Sequence, residues 1–166
     1  VMDKNENSKR FVSLLDFKND LGKRSMMGRG EKMKIWDDMI KDAPNGPFIQ
    51  FYHAWSRTTI EERIKAMENL LALRLNNGST DNAHILNVLG YSYMDSDNLE
   101  KAKSLFEEYI SQYPSGYNPF DSMGEFYFAQ KDYENAKIYY NKALDAYPAA
   151  NSPFQKLQEI NALSAE

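Results

Sequence analysis

The chain has 166 residues, a formal net charge of -4, and 42% hydrophobic against 27% charged residues. That is enough apolar material for a core of ordinary size, which excludes a disordered chain, and an acidic balance argues against a nucleic-acid partner, because neutralising phosphates needs clustered Lys and Arg. With no cysteine there are no disulfides, thiolate nucleophiles or zinc knuckles, and no apolar run reaches the roughly 18 residues of a transmembrane helix.

Residues 1–9 are polar and aperiodic and predict a disordered start. Phe11, Leu14, Leu15 and Leu21 then share one face of a short amphipathic helix ending at Gly22. Lys23 to Gly30 reads as a solvated loop, since its glycines lack the spacing and the Gly-Lys-Ser/Thr ending of a phosphate cradle. Residues 1–30 are thus expected to be a flexible N-terminus with one short helix.

The helical period resumes at Glu31 with Ile35, Trp36, Met39 and Ile40 and closes at Ala43-Pro44-Asn45-Gly46. Pro47 to Arg57 is an aromatic helix carrying Phe48, Phe51, Tyr52 and Trp55. Thr59-Ile60-Glu61-Glu62 is a capping-box start for a further helix reaching about Asn76, with Ala66, Leu70 and Leu73 as its apolar stripe and Asn77-Gly78-Ser79 as its stop. Residues 31–82 therefore read as helices of a diverged repeat.

Residues 83–150 contain one pattern twice. Leu86, Leu89, Gly90, Tyr93, Ala102, Phe106, Tyr109 and Pro114 recur thirty-four residues later as Phe120, Met123, Gly124, Tyr127, Ala136, Tyr140, Ala143 and Pro148. The first four of each set predict one helix, the next three a second, and the proline stops it. Helix pairs are expected at about 83–95 with 99–112 and 117–130 with 133–146. Glycine inside a helix costs roughly 1 kcal/mol relative to alanine, so Gly90 and Gly124 predict a close approach by another helix, with Ala102 and Ala136 as the matching small surface.

At these positions the chain resembles the tetratricopeptide repeat family, with Tyr109 standing where that family usually has a small residue. The resemblance implies an all-α, right-handed superhelix of stacked antiparallel helix hairpins, an α-solenoid. It also implies that the first helix of each hairpin lines a concave, partner-binding groove. Carried over by position, the groove residues are His84, Asn87, Tyr91, Met94 and Asp95 in one repeat, and Asn118, Asp121, Glu125, Phe128 and Ala129 in the next. Gln155 and Glu159 would add to them from the terminal helix. Asp121 and Glu125 would repel a carboxylate, so the subgroup that clamps a peptide's C-terminus is a poor fit.

Residues 151–166 form a capping helix, with Phe154, Leu157, Ile160 and Leu163 on one face and Gln155, Lys156, Gln158 and Glu159 on the other. Residues 31–166 are expected to be one structural domain.

No enzymatic signature emerges. His53 and His84 lie in no nucleophile elbow, triad-like motif or metal-binding spacing. Asp37 with Asp38, Glu61 with Glu62 and Glu107 with Glu108 are adjacent pairs, which diverge on a helix and suit a solvated face. Asp95-Ser96-Asp97-Asn98 lacks the glycine and distal glutamate of a calcium loop. No cofactor and no metal are expected.

The expected function is a non-enzymatic scaffold that binds a peptide segment or partner protein with basic and apolar residues through the concave face. An alternative is an accessory docking or dimerisation domain of a larger exported enzyme or lipoprotein. The sequence opens on Val1 rather than an initiator methionine, which fits a mature form; an exported, periplasmic bacterial setting with the signal peptide removed is favoured over the cytoplasm.

Overall fold

The structure, a computed structural model, describes residues 28–163, which form eight helices and no strand. The disordered start and short helix expected before Gly28 lie outside the described residues. Two compact units, residues 1–58 and 59–166, are each described by themselves.

In the first unit, α1 (Arg29–Asp42) packs on α2 (Pro47–Trp55). Helix α1 begins two residues before the expected Glu31, because the Glu31 carboxylate accepts a hydrogen bond from the Gly28 N–H at 3.0 Å and closes the first turn from Gly28. Pro47 occupies the first turn of α2, where its missing N–H costs nothing. The seam is aromatic: Trp36 is buried and stacks on Tyr52 at 5.0 Å between centroids, and Phe48 meets Trp36 edge-on at 6.1 Å.

The second unit runs through α3 (Ile60–Asn76), α4 (Ala83–Asp95), α5 (Leu99–Gln112), α6 (Tyr117–Ala129), α7 (Tyr133–Ala146) and α8 (Asn151–Leu163). Each helix packs on the one before it, and α4 also meets α6 as α6 meets α8. The helix pairs fall within one residue of the expected bounds. Thr59 caps α3 as its sequence predicts, accepting from the Glu62 N–H at 3.1 Å while Glu62 reaches back to the Thr59 N–H.

The turns inside the two hairpins are copies of each other. Asp97 and Lys131, thirty-four residues apart, both adopt φ 61°, a left-handed conformation that ends the first helix. The next residue starts the second helix in both: Asn98 accepts from the Lys101 N–H and Asp132 from the Asn135 N–H, each at 3.2 Å. With so short a turn, the packed helices must run antiparallel.

The core follows the repeat. Leu86, Leu89, Ala102, Phe106, Met123, Ala136 and Tyr140 are sealed from solvent. Burial of the larger apolar side chains among them, Leu86, Leu89, Phe106 and Met123, is worth about 1.5–3 kcal/mol each. A Cβ built on Gly90 would meet Phe106 Cε1 at 2.4 Å, and one on Gly124 would meet Tyr140 Cδ1 at 2.6 Å. The partner at each glycine is thus an aromatic ring, rather than the alanine surface expected from sequence. Tyr109 is buried too, and its hydroxyl accepts from Asn118 Nδ2 at 2.9 Å, tying α5 to α6.

Two apolar stripes differ from expectation. In α3, Leu73 is exposed and Met67 takes the buried place beside Leu70, so the inward face is turned toward Arg63, Met67 and Leu70. In α8, Ile160 is fully buried and Leu157 packs beside it, but Phe154 and Leu163 are about half exposed. The buried face of α8 is Pro153, Leu157 and Ile160, because only that side meets α6 and α7.

Candidate functional site

The residues carried over as groove positions lie on α4 and α6, the first helices of the two hairpins, with α8 beside them. Their surroundings sort them into three groups. Met94 and Phe128 are drawn into packing, as is the ring of Tyr91: Met94 and Tyr91 sit against the cluster of Ala102, Phe106, Met123 and Phe126, Tyr91 meeting Phe106 edge-on at 5.3 Å, and Phe128 sits against that of Ala136, Tyr140 and Ile160. His84, Asp95 and Ala129 are exposed at the helix ends. Asn87, Tyr91, Asn118, Asp121 and Glu125 are half-buried between helices.

That last group forms a connected polar strip. Ser122, itself buried, donates its hydroxyl to Asn87 Oδ1 at 2.8 Å, joining α4 to α6, and the Tyr91 hydroxyl lies close enough to Ser122 to be influenced by it. Burial pushes the Tyr91 phenol up to about 12, and the nearby Glu125 and Asp121 carboxylates act in the same direction. Tyr91 therefore stays a neutral hydrogen-bonding group at any physiological pH.

From α6 the strip continues to α8. Ser152 donates to Asp121 Oδ1 at 3.2 Å, and Lys156 places its Nζ 3.9 Å from Glu125 Oε1 and 3.2 Å from Glu159 Oε2. The same ammonium stands 4.1 Å above the Phe128 ring, a cation–π arrangement. Burial raises Asp121 above its ordinary range and Glu125 adds to the effect, while the Ser152 hydroxyl and Lys156 oppose it. Beneath lies Tyr140, fully buried. Its hydroxyl faces Glu125 and Asp121 without a well-formed hydrogen bond, and burial followed by those carboxylates drives its phenol far upward.

Lys156, Ser122, Ser152 and Tyr140 were not among the expected site residues. A signal for Lys156 existed: it stands thirty-four residues after Ser122, in the same repeat column. Gln155, one column over, is exposed, and Glu159 belongs to the site through Lys156.

A second polar cluster occupies the first unit. Asp37 Oδ1 accepts from Arg57 Nη2 at 2.7 Å and lies 3.0 Å from His53 Nε2. Asp37 thus faces inward while its neighbour Asp38 pairs with Lys41 at the surface, so the two carboxylates do not share the solvated face expected of them. Burial holds His53 below its ordinary 6.5 with Arg57 acting alongside, against the pull of Asp37. A cation beside a largely neutral imidazole anchors the carboxylate and braces α1 on α2. Among the described residues, no group of three or more His, Asp or Glu is placed to hold a metal ion, and no helix is long and apolar enough to cross a membrane.

Comparison with known proteins agrees with the repeat geometry. Residues 89–116 and residues 121–149 each match a family model described as a tetratricopeptide repeat. No curated protein matches the chain. Among solved structures, a crystal structure of MamA is similar at 14% identity and a TM-score of 0.64, over 87% of this chain and 83% of that one. A MamA RS-1 ArsTM double mutant is similar at 15% identity and 0.65, over 99% and 87%. MamA 41-end from Desulfovibrio magneticus RS-1 is similar at 14% and 0.65, over 99% and 88%. At these identities the likeness is one of fold, an all-α helical repeat. Both repeat models match the hairpins that the thirty-four-residue period marks out, so the chain carries tetratricopeptide repeats at residues 89–116 and 121–149.

Proposed function

We propose that the protein is a non-enzymatic interaction scaffold, and that the layer of α4, α6 and α8 is the face that receives a peptide segment or partner protein carrying Lys or Arg beside an apolar anchor. The observation that carries this reading is the polar strip from Asn87 through Tyr91, Asp121 and Glu125 to α8. It runs across three helices and is half-buried, whereas a merely solvated face would leave such groups in water. Asp121 and Glu125 stand four apart, on one helix face, and supply the negative charge. Tyr91 supplies aromatic area at low entropy cost.

The test is fluorescence anisotropy with synthetic peptides of alternating Leu and Lys or alternating Leu and Glu. The lysine peptide should bind and the glutamate peptide should not. Affinity should fall as salt shortens the screening length toward about 10 Å at 0.1 M. Glu125→Lys should weaken binding with an unchanged circular dichroism spectrum. Preference for the acidic peptide, or indifference to Glu125→Lys, would defeat the reading.

A further inference from the structure

We propose that Lys156 is a built-in occupant of a cation-binding site at Asp121 and Glu125, and that the Lys or Arg of a partner segment binds there by displacing it. This rests on the scaffold reading above and adds a gate to it.

The chemistry around Lys156 is what a partner's cation would need. Its ammonium sits over the face of Phe128 at 4.1 Å and 3.9 Å from Glu125, with Asp121 close enough to feel its charge. A carboxylate pair with an aromatic floor recognises Lys and Arg in any protein surface. Here α8 supplies the cation from within the chain.

Two features show that the occupant leaves the site incompletely satisfied. The 3.9 Å approach to Glu125 is at the outer limit of an ion pair, well beyond the 2.7–2.9 Å of a charge-assisted hydrogen bond. The Tyr140 hydroxyl, wholly buried below the carboxylates, has no well-formed partner. A single ammonium on a side chain stretched from α8 serves the carboxylates poorly, and a guanidinium or ammonium arriving from outside is free to approach them more closely.

Lys156 also has somewhere to go. Glu159, one turn along the same helix and half-exposed, already holds it at 3.2 Å. Displacement requires only that the side chain swing from Glu125 fully onto Glu159, so the charge stays paired and α8 need not move. The site then exchanges an internal cation for an external one.

The experiment compares a dye-labelled peptide of alternating Leu and Lys with a twin in which every lysine is acetylated, on the full chain. Lys156→Met keeps the apolar stem against Phe128 but removes the charge, and Lys156→Gln checks it with a polar end. Both variants should bind the lysine peptide about five- to tenfold more tightly than the unmodified chain, with no gain for the acetylated twin. Adding Glu125→Gln to Lys156→Met should abolish the gain. Lys142→Met is the charge control, since Lys142 lies on α7 over Tyr139 at 4.8 Å and changes the net charge equally.

Equal or weaker binding by both Lys156 variants, with clear binding by the unmodified chain, overturns the gate and leaves the scaffold reading standing. A gain matched by Lys142→Met also overturns it, because bulk charge would then account for the effect. No binding by the unmodified chain or any variant overturns the scaffold reading and the gate together. Circular dichroism of each variant separates these results from misfolding.

Discussion

Phe106 lies where a side chain on Gly90 would have to be: a Cβ there would come within 2.4 Å of Cε1 and 2.7 Å of Cζ of the ring. Both residues are sealed from solvent, so neither the ring nor the backbone can yield outward. The same pairing recurs with Tyr140 against Gly124, at 2.6 Å. Close packing of α4 on α5 and of α6 on α7 is thus made by a glycine and a ring. The cost of glycine in a helix, roughly 1 kcal/mol, is offset by the buried aromatic area it admits.

Gly90→Ala and Gly124→Leu should therefore overpack their hairpins and destabilise the fold by roughly 1–3 kcal/mol, read as a lower melting temperature by circular dichroism. Phe106→Leu in the Gly90→Ala background should recover part of that loss. An unchanged melting temperature in both glycine variants would refute the pairing.

Tyr113 carries a second long-range device. Its hydroxyl accepts from the Asn82 N–H at 2.9 Å and the Ala83 N–H at 3.1 Å and donates to Asp81 at 2.9 Å, so a residue at the end of α5 caps the start of α4. Tyr113→Phe should leave both amides without that acceptor and cost about 1–3 kcal/mol in chemical denaturation. Faster hydrogen exchange at Asn82 and Ala83 should accompany the loss. Unaltered exchange there would show that another group caps the helix.

Lys131 offers the opposite sign. At φ 61° an L side chain is strained, and the residue is exposed, so Lys131→Gly should relieve strain without removing a buried contact. We expect a gain of up to about 1 kcal/mol, tempered by the freer unfolded chain. A lower melting temperature would mean that the lysine side chain contributes more than its backbone costs.

The repeat period made the hairpins legible, because Gly90, Ala102 and Phe106 and their copies Gly124, Ala136 and Tyr140 are chemically paired at fixed offsets. The stripe of α3 was not legible in the same way. Its apolar residues fall on two overlapping faces, 66–70–73 and 67–70 with the stem of Arg63 beside them, and packing against α4 selects the second, burying Met67 and leaving Leu73 outside. Phe154 failed because it lies off the side of α8 that packs on α6 and α7, although Leu86, in the same repeat column of α4, is fully buried. Asp121 and Glu125 entered the candidate site through family positions. Lys156 was missed because its charge placed it on an assumed solvated face, whereas long lysine stems lie readily over aromatic surface.

The first unit should weaken in acid, in two stages. Burial, with Arg57 beside it, holds His53 below its ordinary 6.5, so below that pH the unfolded chain takes up a proton that the folded one resists. Stability is then lost as pH falls from 6.5 through the folded pKa of His53. Asp37 follows: although burial pushes its carboxyl up, Arg57 and His53 hold it below its ordinary 3.8, and that contribution is lost as pH falls further through its folded pKa. Trp36 and Trp55, the two tryptophans of the chain, both lie in this unit, so tryptophan fluorescence during urea unfolding reports on it directly. The midpoint should fall between pH 7 and pH 5, within the titration range of histidine. His53→Gln, which cannot titrate, should flatten that stage while leaving the later loss at Asp37. A midpoint equally pH-dependent in the unmodified chain and in His53→Gln would assign the acid sensitivity elsewhere.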